Sequence, residues 1–373
     1  MRILLQIAWI LALSAGTLLQ AQGRWKVQYF HDEDRSSLHL TDLVFPTSST
    51  GIACGVITRI DRDRQEGLIL VTRDGGKSWR EVRITDHPLS LFFLDDSTGF
   101  MVTVNGIWKT EERGLTWKRI KDTRGILRVH FLDQQRGFAI GTRKQVLATS
   151  DGGKTWKQVP EAQKPAARAE YTTYQWITFD QNKIGMILGG ATPPRRRQLE
   201  VPDWADPEAA MKEREWPTLS ITLETKDSGA TWSPQTAPVF GRMSRLRFAP
   251  NAGTYGLALM RYDRAFAVPS EVYLINWKNG KSESTFKDAN KMVSDVAFLG
   301  PSHGIIAAIE RPGTMAHSPL PGKLRILSAT NLRSWVEMPV DYRATGQDAV
   351  LAVVDEKNAW VALDSGMILH LEP

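Results

Sequence analysis

One eight-residue pattern recurs along this chain and restricts the folds open to it more than any other feature. The pattern has Thr first, Asp or Glu third, Gly fifth, Ser or Thr seventh and Trp last. Its copies occupy 72–79, 110–117, 149–156 and 225–232, and their Trp residues are 38, 39 and 76 positions apart. A decayed copy at 328–335 also ends in Trp. A repeat of this period is typical of solenoids, propellers and arrays.

A second marker raises the number of repeat units to seven. In five places an aromatic residue ends an apolar run and a Gly follows six positions later. The pairs are Phe45/Gly51, Phe93/Gly99, Phe131/Gly137, Phe179/Gly185 and Phe298/Gly304. Phe248/Gly256 carries two extra residues, and Val353/Ala359 is a degenerate copy.

Each unit is predicted to form four strands. In the third unit, apolar runs at 126–132, 137–141, 146–149 and 155–159 alternate with turns rich in Gly and Asp, which is the signal for short antiparallel strands. No segment beyond the N-terminal apolar run sustains a strong helical period. Four-stranded units of about 40 residues, seven times over, predict an all-β, seven-bladed β-propeller.

The two ends of the chain predict how the ring closes. The last unit supplies only three strands, at 347–354, 359–363 and 367–371. The segment 24–28 resembles the fourth strand of the third unit, because both place a Trp before alternating Lys, Gln and Val. The N-terminal strand is therefore expected to complete the last blade. An eight-bladed ring and an open array are the competing interpretations.

The repeated box resembles the Asp-box of the bacterial neuraminidase repeat. Seven such units after an N-terminal apolar segment resemble the photosystem II stability and assembly factor family of exported propellers, over residues 25 to 373. The resemblance implies a non-enzymatic scaffold that helps to assemble a membrane-protein complex, with a thylakoid-lumen location only in a photosynthetic source.

The box residues themselves suit a structural role. An Asp that accepts backbone N–H bonds and a Gly that takes positive φ start a hairpin, and the Trp packs between blades. The residues assigned this role are Asp74, Trp79, Trp117, Asp151, Trp156, Asp227 and Trp232. A carboxylate that binds a ligand or acts as a catalytic acid is the alternative. Because the box recurs around the predicted ring, the structural role is favoured.

The N-terminus predicts an exported protein, and the composition limits the sites that it can carry. Arg2, an apolar run and small residues near Ala21 form a predicted signal peptide over 1–21, which leaves 22–373 as one propeller in the periplasm or secreted. An uncleaved anchor is the alternative. The single cysteine, Cys54, excludes an internal disulfide, and the seven His show no metal-binding spacing. A net charge of +6 favours anionic partners without indicating nucleic acid. We expect a monomer with no metal and no cofactor.

Two features indicate a partner-binding face. In standard propeller topology the connections between second and third strands share one face, and four of them are long, at 58–66, 191–217, 261–271 and 310–322. Binding residues concentrate on such loops. Three positions before each marker aromatic the residue varies, as expected around a channel mouth. The candidate contacts for an anionic or extended peptide are Arg128, Trp176, Arg195, Arg196, Arg197, Arg245 and Arg247. Pairing of the channel arginines with Asp42 and Asp295, and a solvated loop at 195–197, are the alternatives.

A carbohydrate-active hydrolase of sialidase or glycosidase type is the alternative function. A glycosidase needs two facing carboxylates, and Asp42 and Asp295 qualify by position alone. No signature of a nucleophilic Ser or Cys is present, so a binding scaffold for a protein, or for an exported peptide segment of a membrane protein, is the favoured prediction.

Overall fold

The first and last strands of the protein lie in the same sheet and close a ring of seven blades. The computed structural model describes residues 23–59, 64–181, 183–192, 218–251, 253–262, 268–310 and 322–372. Strand β1 pairs with the last strand, β29, so that Trp25 lies opposite Leu371 and Arg24 opposite Glu372. The prediction of a seven-bladed, all-β propeller closed by its N-terminal strand is confirmed.

Each blade is an antiparallel meander whose first strand lines the centre. The closing strand of blade seven is β1 (Arg24–Phe30). Blade one has β2 (Ser36–Val44), β3 (Gly51–Arg59), β4 (Arg64–Thr72) and β5 (Arg80–Ile84). Blade two has β6 (Pro88–Phe93), β7 (Gly99–Thr103), β8 (Gly106–Thr110) and β9 (Lys118–Asp122). Blade three has β10 (Ile126–Phe131), β11 (Gly137–Gly141), β12 (Val146–Thr149) and β13 (Lys157–Gln158).

The remaining blades repeat this order. Blade four has β14 (Thr172–Phe179), β15 (Gly185–Ala191), β16 (Thr218–Thr225) and β17 (Ser233–Val239). Blade five has β18 (Arg242–Phe248), β19 (Tyr255–Arg261), β20 (Ser270–Asn276) and β21 (Lys281–Lys287). Blade six has β22 (Lys291–Gly300), β23 (His303–Glu310), β24 (Gly322–Ala329), β25 (Val336–Met338) and β26 (Thr345–Gly346). Blade seven adds β27 (Ala349–Val353), β28 (Ala359–Leu363) and β29 (Met367–Glu372) to β1.

Among the described residues, helix is limited to two single turns before blade four, at Pro160–Gln163 and Ala169–Tyr171. Neither they nor any other helix in the described part of the chain has the length and apolar character needed to span a membrane. The predicted signal peptide at 1–21, and most of the predicted insertion at 191–217, lie outside the described residues. The predicted insertion at 58–66 is corrected in part, because β3 and β4 continue into it and Thr58 pairs with Gln65.

The hydrophobic core is divided among the seven junctions between blades. Each cluster of buried side chains combines residues from two neighbouring blades, such as Ile52 and Val71 of blade one with Met101 of blade two. The cluster between blades six and seven includes Trp25 from the N-terminal strand. A single blade would leave both of these apolar faces in water, so ring closure is what buries them.

The marker pairs have a steric explanation. The ring of Phe131 lies across the next strand, where a Cβ added to Gly137 would come within 2.6 Å of the ring. The same close approach occurs at Gly51, Gly99 and Gly185. Box Trp residues then contact the marker Phe of their own blade edge-on, as in Trp156 against Phe131 with ring centroids 6.0 Å apart. The equivalent pairs are Trp79–Phe45, Trp117–Phe93 and Trp232–Phe179.

The box hairpins join the third and fourth strands and are held by one carboxylate each. Asp151 accepts a hydrogen bond from the backbone N–H of Thr155 at 2.9 Å and one from its hydroxyl at 2.6 Å. Asp74 and Asp227 make the same pair of bonds with Ser78 and Thr231. The hydroxyl bonds are the main reason why the pKa of each Asp falls from 3.8 to about 2.

These carboxylates predict an acid-sensitive step in stability. Because their folded-state pKa is below the unfolded value, the stabilisation is complete above about pH 4 and is lost as the pH falls toward 2. We expect the melting temperature to decline across this window, and to decline less steeply when Asp74, Asp151 and Asp227 are all changed to Asn. Thermal denaturation followed by circular dichroism between pH 2 and 7 measures both slopes, and equal slopes would contradict the assignment.

Blade six has an interrupted outer strand. β25 pairs with one half of β24, and β26 pairs with the other half, through Gly322 opposite Gly346. Between them the chain leaves the sheet and reaches β1 of blade seven. The N–H of Trp25 donates to the Pro339 carbonyl at 2.9 Å, and the N–H of Asp341 donates to the Trp25 carbonyl at 3.0 Å. We call residues 339–344 the strap.

Candidate functional site

A ring of seven side chains surrounds the central channel. They stand three positions before each marker residue and are Asp42, Ser90, Arg128, Trp176, Arg245, Asp295 and Val350. In six blades a β-bulge precedes this position, for example between Ile126 and Arg128 in blade three. A bulge adds one residue to the first strand and re-aims the next side chain. We call these seven residues the inner ring.

Members of the inner ring connect neighbouring blades. Asp42 Oδ2 accepts a hydrogen bond from the N–H of Leu91 in blade two at 3.0 Å, and Ser90 Oγ donates to the Leu127 carbonyl of blade three at 2.7 Å. Trp176 Nε1 donates to Leu246 O at 2.9 Å, and Asp295 Oδ2 accepts from Leu351 N at 3.1 Å. The inner-ring position therefore has a structural role between blades, which the variation of its residue type did not indicate.

Three arginines gather around one indole. The guanidinium carbons of Arg128, Arg245 and Arg247 lie 4.6, 4.6 and 4.7 Å from the ring centroid of Trp176, within the range of a cation–π interaction. Arg128 comes from blade three and the other two from blade five, so the fold brings together residues up to 119 positions apart. The sequence-predicted contacts in the channel therefore form one cluster.

Two buried aspartates pair with this cluster. Arg128 Nη1 donates to Asp42 Oδ2 at 3.1 Å, and Arg245 Nε and Arg247 Nη2 lie 3.6 and 3.5 Å from the Asp295 oxygens. This is the pairing that the sequence left open as an alternative. It does not neutralise the site, because three guanidinium groups face two carboxylates.

The arginines retain capacity for an anion. Burial lowers the pKa of Arg245 to about 10, with Arg128, Arg261 and Arg247 adding repulsion and Asp295 opposing the shift. The Nε–H groups of Arg245 and Arg247 are buried and have no hydrogen-bond partner in the described part of the chain. The accessible part of the cluster is the Arg247 side chain, which is 33% exposed, so an anion in the cavity would meet this guanidinium group first.

Six of the seven inner-ring residues, all except Ser90, form the floor of a cavity of about 440 Å³. Beyond the ring the lining is mainly apolar and aromatic, and includes Phe93, His130, Phe248 and Val353. His130 lies between the rings of Phe92 and Phe179, and burial lowers its pKa to about 4, so it is neutral at physiological pH. A basic floor with apolar walls suits a ligand that has both an acidic and an apolar part.

The direction of the cavity corrects one expectation. Its lining runs from the inner ring to the C-terminal ends of the first strands, and none of its residues precedes the ring. In an antiparallel meander the third strand ends on the same side as the first strand. The box hairpins follow the third strands, so the cavity opens toward them. The strands that flank the predicted insertions meet on the opposite face. The channel arginines, expected on the same surface as these insertions, therefore line a cavity that opens on the other face.

The other predicted contacts are not tested. Arg195, Arg196 and Arg197 lie outside the described residues and stay a prediction. Within the described ranges no group of three or more His, Cys, Asp and Glu side chains could hold a metal ion.

The acids considered for hydrolysis have other partners. Asp42 and Asp295 each accept backbone N–H bonds from their own strand and from the next blade. A Glu–Tyr pair that the sequence did not reveal occurs in blade five, where Glu271 accepts from Tyr262 at 2.7 Å and from Tyr273 at 2.8 Å. Burial raises the pKa of both phenols, which opposes a role as an ionised nucleophile.

Together these features define a seven-bladed propeller whose channel holds a cluster of three arginines around one aromatic ring. Structural comparison finds YCF48 from Cyanidioschyzon merolae with a TM-score of 0.61 and 15% identity over 94% of this chain and 98% of that one. A structure of YCF48 bound to a D1 peptide has a TM-score of 0.59 and 14% identity over 93% and 100%.

Enzymes share the same architecture. Oligogalacturonate lyase from Vibrio parahaemolyticus has a TM-score of 0.54 and 10% identity over 94% of this chain and 97% of that one. At these identities the likeness shows the fold alone. No protein-family model matches the chain, and no curated protein matches its sequence.

Proposed function

We propose that this protein is an exported, non-enzymatic scaffold that binds an exported segment of a membrane-protein subunit and aids assembly of its complex. The observation that carries the proposal is the cluster of Arg128, Arg245 and Arg247 around Trp176, at the floor of a cavity open to one face. Arginine pairs with carboxylates and stacks on aromatic rings, and Trp and Arg dominate binding energies at protein interfaces.

The comparison supports the same reading. YCF48, a propeller of the same fold, has been seen with a peptide of D1 bound to it. The sequence resemblance to photosystem II assembly factors implies a related role. Transfer of peptide binding to the present chain is our proposal, as are its exported location and its action as a monomer.

Arg247 offers the cleanest test of the proposal. Its side chain is 33% exposed, and Asp295 keeps Arg245 as a partner when Arg247 is removed, so the change should weaken binding more than it disturbs folding. We expect a labelled ten-residue peptide with two glutamates to bind at least tenfold more weakly to Arg247→Ala, since a charged hydrogen bond contributes about 1.5–3 kcal/mol. Fluorescence anisotropy gives the dissociation constants.

Arg136→Ala is the matched control for this measurement. Arg136 is an exposed arginine in the first turn of blade three, paired with Asp133 and away from the cavity lining. Its removal should leave binding unchanged. Equal affinity for the same peptide with glutamine in place of glutamate, or equal loss in both variants, would refute the proposed site.

A further inference from the structure

A second cleft adjoins the cavity between three turns. This cleft, of about 540 Å³, is lined by Pro250 and Asn251 of blade five, Leu299–Pro301 of blade six and Val354–Asn358 of blade seven. Pro250, Leu299 and Val354 also line the channel cavity. The two spaces therefore adjoin along these three residues, and we call them together the entry groove.

The wall of the entry groove is apolar and preformed. Val354 is 38% exposed, which is unusual for a large apolar side chain in this protein. Pro250 and Pro301 have fixed φ and no N–H group, so they offer a rigid surface that cannot pair with solvent through that donor. An apolar segment would gain by covering this wall, and little ordering of the protein would be required.

The two ends of the groove carry opposite charge. The inner end is the arginine cluster, where three guanidinium groups exceed two carboxylates. At the outer end Asp355 and Glu356 exceed Lys357 by one charge. The Asp355 carboxylate is occupied by its own turn, since it accepts from Lys357 N at 2.8 Å and from Asn358 N at 2.9 Å.

Glu356 is the acid left to face a ligand. Its side chain is 65% exposed, and the imidazole Nδ1 of His303 lies 3.8 Å from its Oε1. That separation is too long for a hydrogen bond, and among the described residues the Glu356 carboxylate accepts no hydrogen bond, so it can face a cation.

We infer that the entry groove binds an extended peptide that enters from the box-hairpin face between blades five, six and seven. The peptide places an acidic group on the arginine cluster, apolar side chains along Pro250, Leu299 and Val354, and a basic group beside Glu356. The inference rests on the proposed function and adds the direction and the charge order of the ligand.

A charge swap tests the inference. Two labelled peptides share a glutamate pair and an apolar middle, and differ in having Lys or Glu near the far end, with two, four or six residues between the charges. At the best spacing we expect the wild type to bind the Lys peptide about fivefold more tightly, as a half-exposed ion pair would allow. Glu356→Lys should reverse that preference.

The control is Glu224→Lys, which alters an acid at the end of β16 on the same face but outside the groove. It should keep the wild-type preference, and equal melting temperatures would show that both variants fold. No reversal by Glu356→Lys, or the same reversal by Glu224→Lys, would overturn the entry groove. If Arg247→Ala still weakens binding in that case, the proposed function survives alone. If neither peptide binds the wild type, the proposed function and the entry groove are both refuted.

Discussion

Replacing Trp25 with alanine is expected to lower the free energy of unfolding by about 3–5 kcal/mol, as for other large buried aromatic residues. The Trp25 side chain is fully buried in the cluster between blades six and seven. Its backbone is hydrogen-bonded to the strap on one side and paired with Leu371 on the other. Urea denaturation followed by circular dichroism gives the change.

Loss at this position should also open the ring, which distinguishes Trp25 from an ordinary core residue. We expect limited proteolysis of Trp25→Ala to cut near 23–30 faster than in the wild type, because β1 is freed from both of its neighbours. Trp232→Ala is the matched control, since Trp232 is also buried but packs between blades three and four, away from β1. If both variants are cut alike in the N-terminal strand, β1 is not the closing element.

The second large effect is expected at Asp295. Its side chain is fully buried, and removal in Asp295→Ala would leave Arg245 and Arg247 without their anion and Leu351 N without its acceptor. Breaking a buried pair by deleting one partner costs about 3–5 kcal/mol. The same urea experiment measures it, with peptide binding as a second readout.

Asp348→Ala supplies the comparison for Asp295. Asp348 pairs with Arg261 at 3.0 Å but its side chain is 47% exposed, so its loss should cost less than about 1 kcal/mol. The double variant Asp295→Ala/Arg245→Leu should recover part of the lost stability, because it removes one of the stranded charges. Equal costs for Asp295 and Asp348 would show that the inner ring does not support the channel.

Much of the fold could be predicted because the repeat encodes it locally. The Phe131/Gly137 pair depends on a contact within one blade, and the box at Asp151 depends on bonds within eight residues. Such constraints leave a visible spacing in the sequence. The closing strand could be predicted for a related reason: a blade with three strands leaves an edge that another strand must cover.

For the site, the sequence predicted which residues take part but not how they are arranged. The spacing from the marker aromatic identified Arg128, Trp176 and Arg245 as channel residues, and the structure brings them to one indole. The β-bulge before each of these positions left no recognisable pattern in the sequence. It changes the register between the first and second strands of a blade, and not the residue types. The depth of the ring, and hence the face on which the cavity opens, followed from that register.

The strap has a consequence for how the molecule can form. Strand β1 pairs with residues 367–372 and is hydrogen-bonded to 339–341. It can therefore take its place only after nearly the whole chain has been synthesised. Contacts between such distant parts of a chain form slowly. Until then six blades can assemble in order while the seventh stays incomplete. Its unpaired edge can then pair with a strand of a neighbouring molecule. Docking of β1 is therefore expected to be the last step of folding, and the one most exposed to domain swapping.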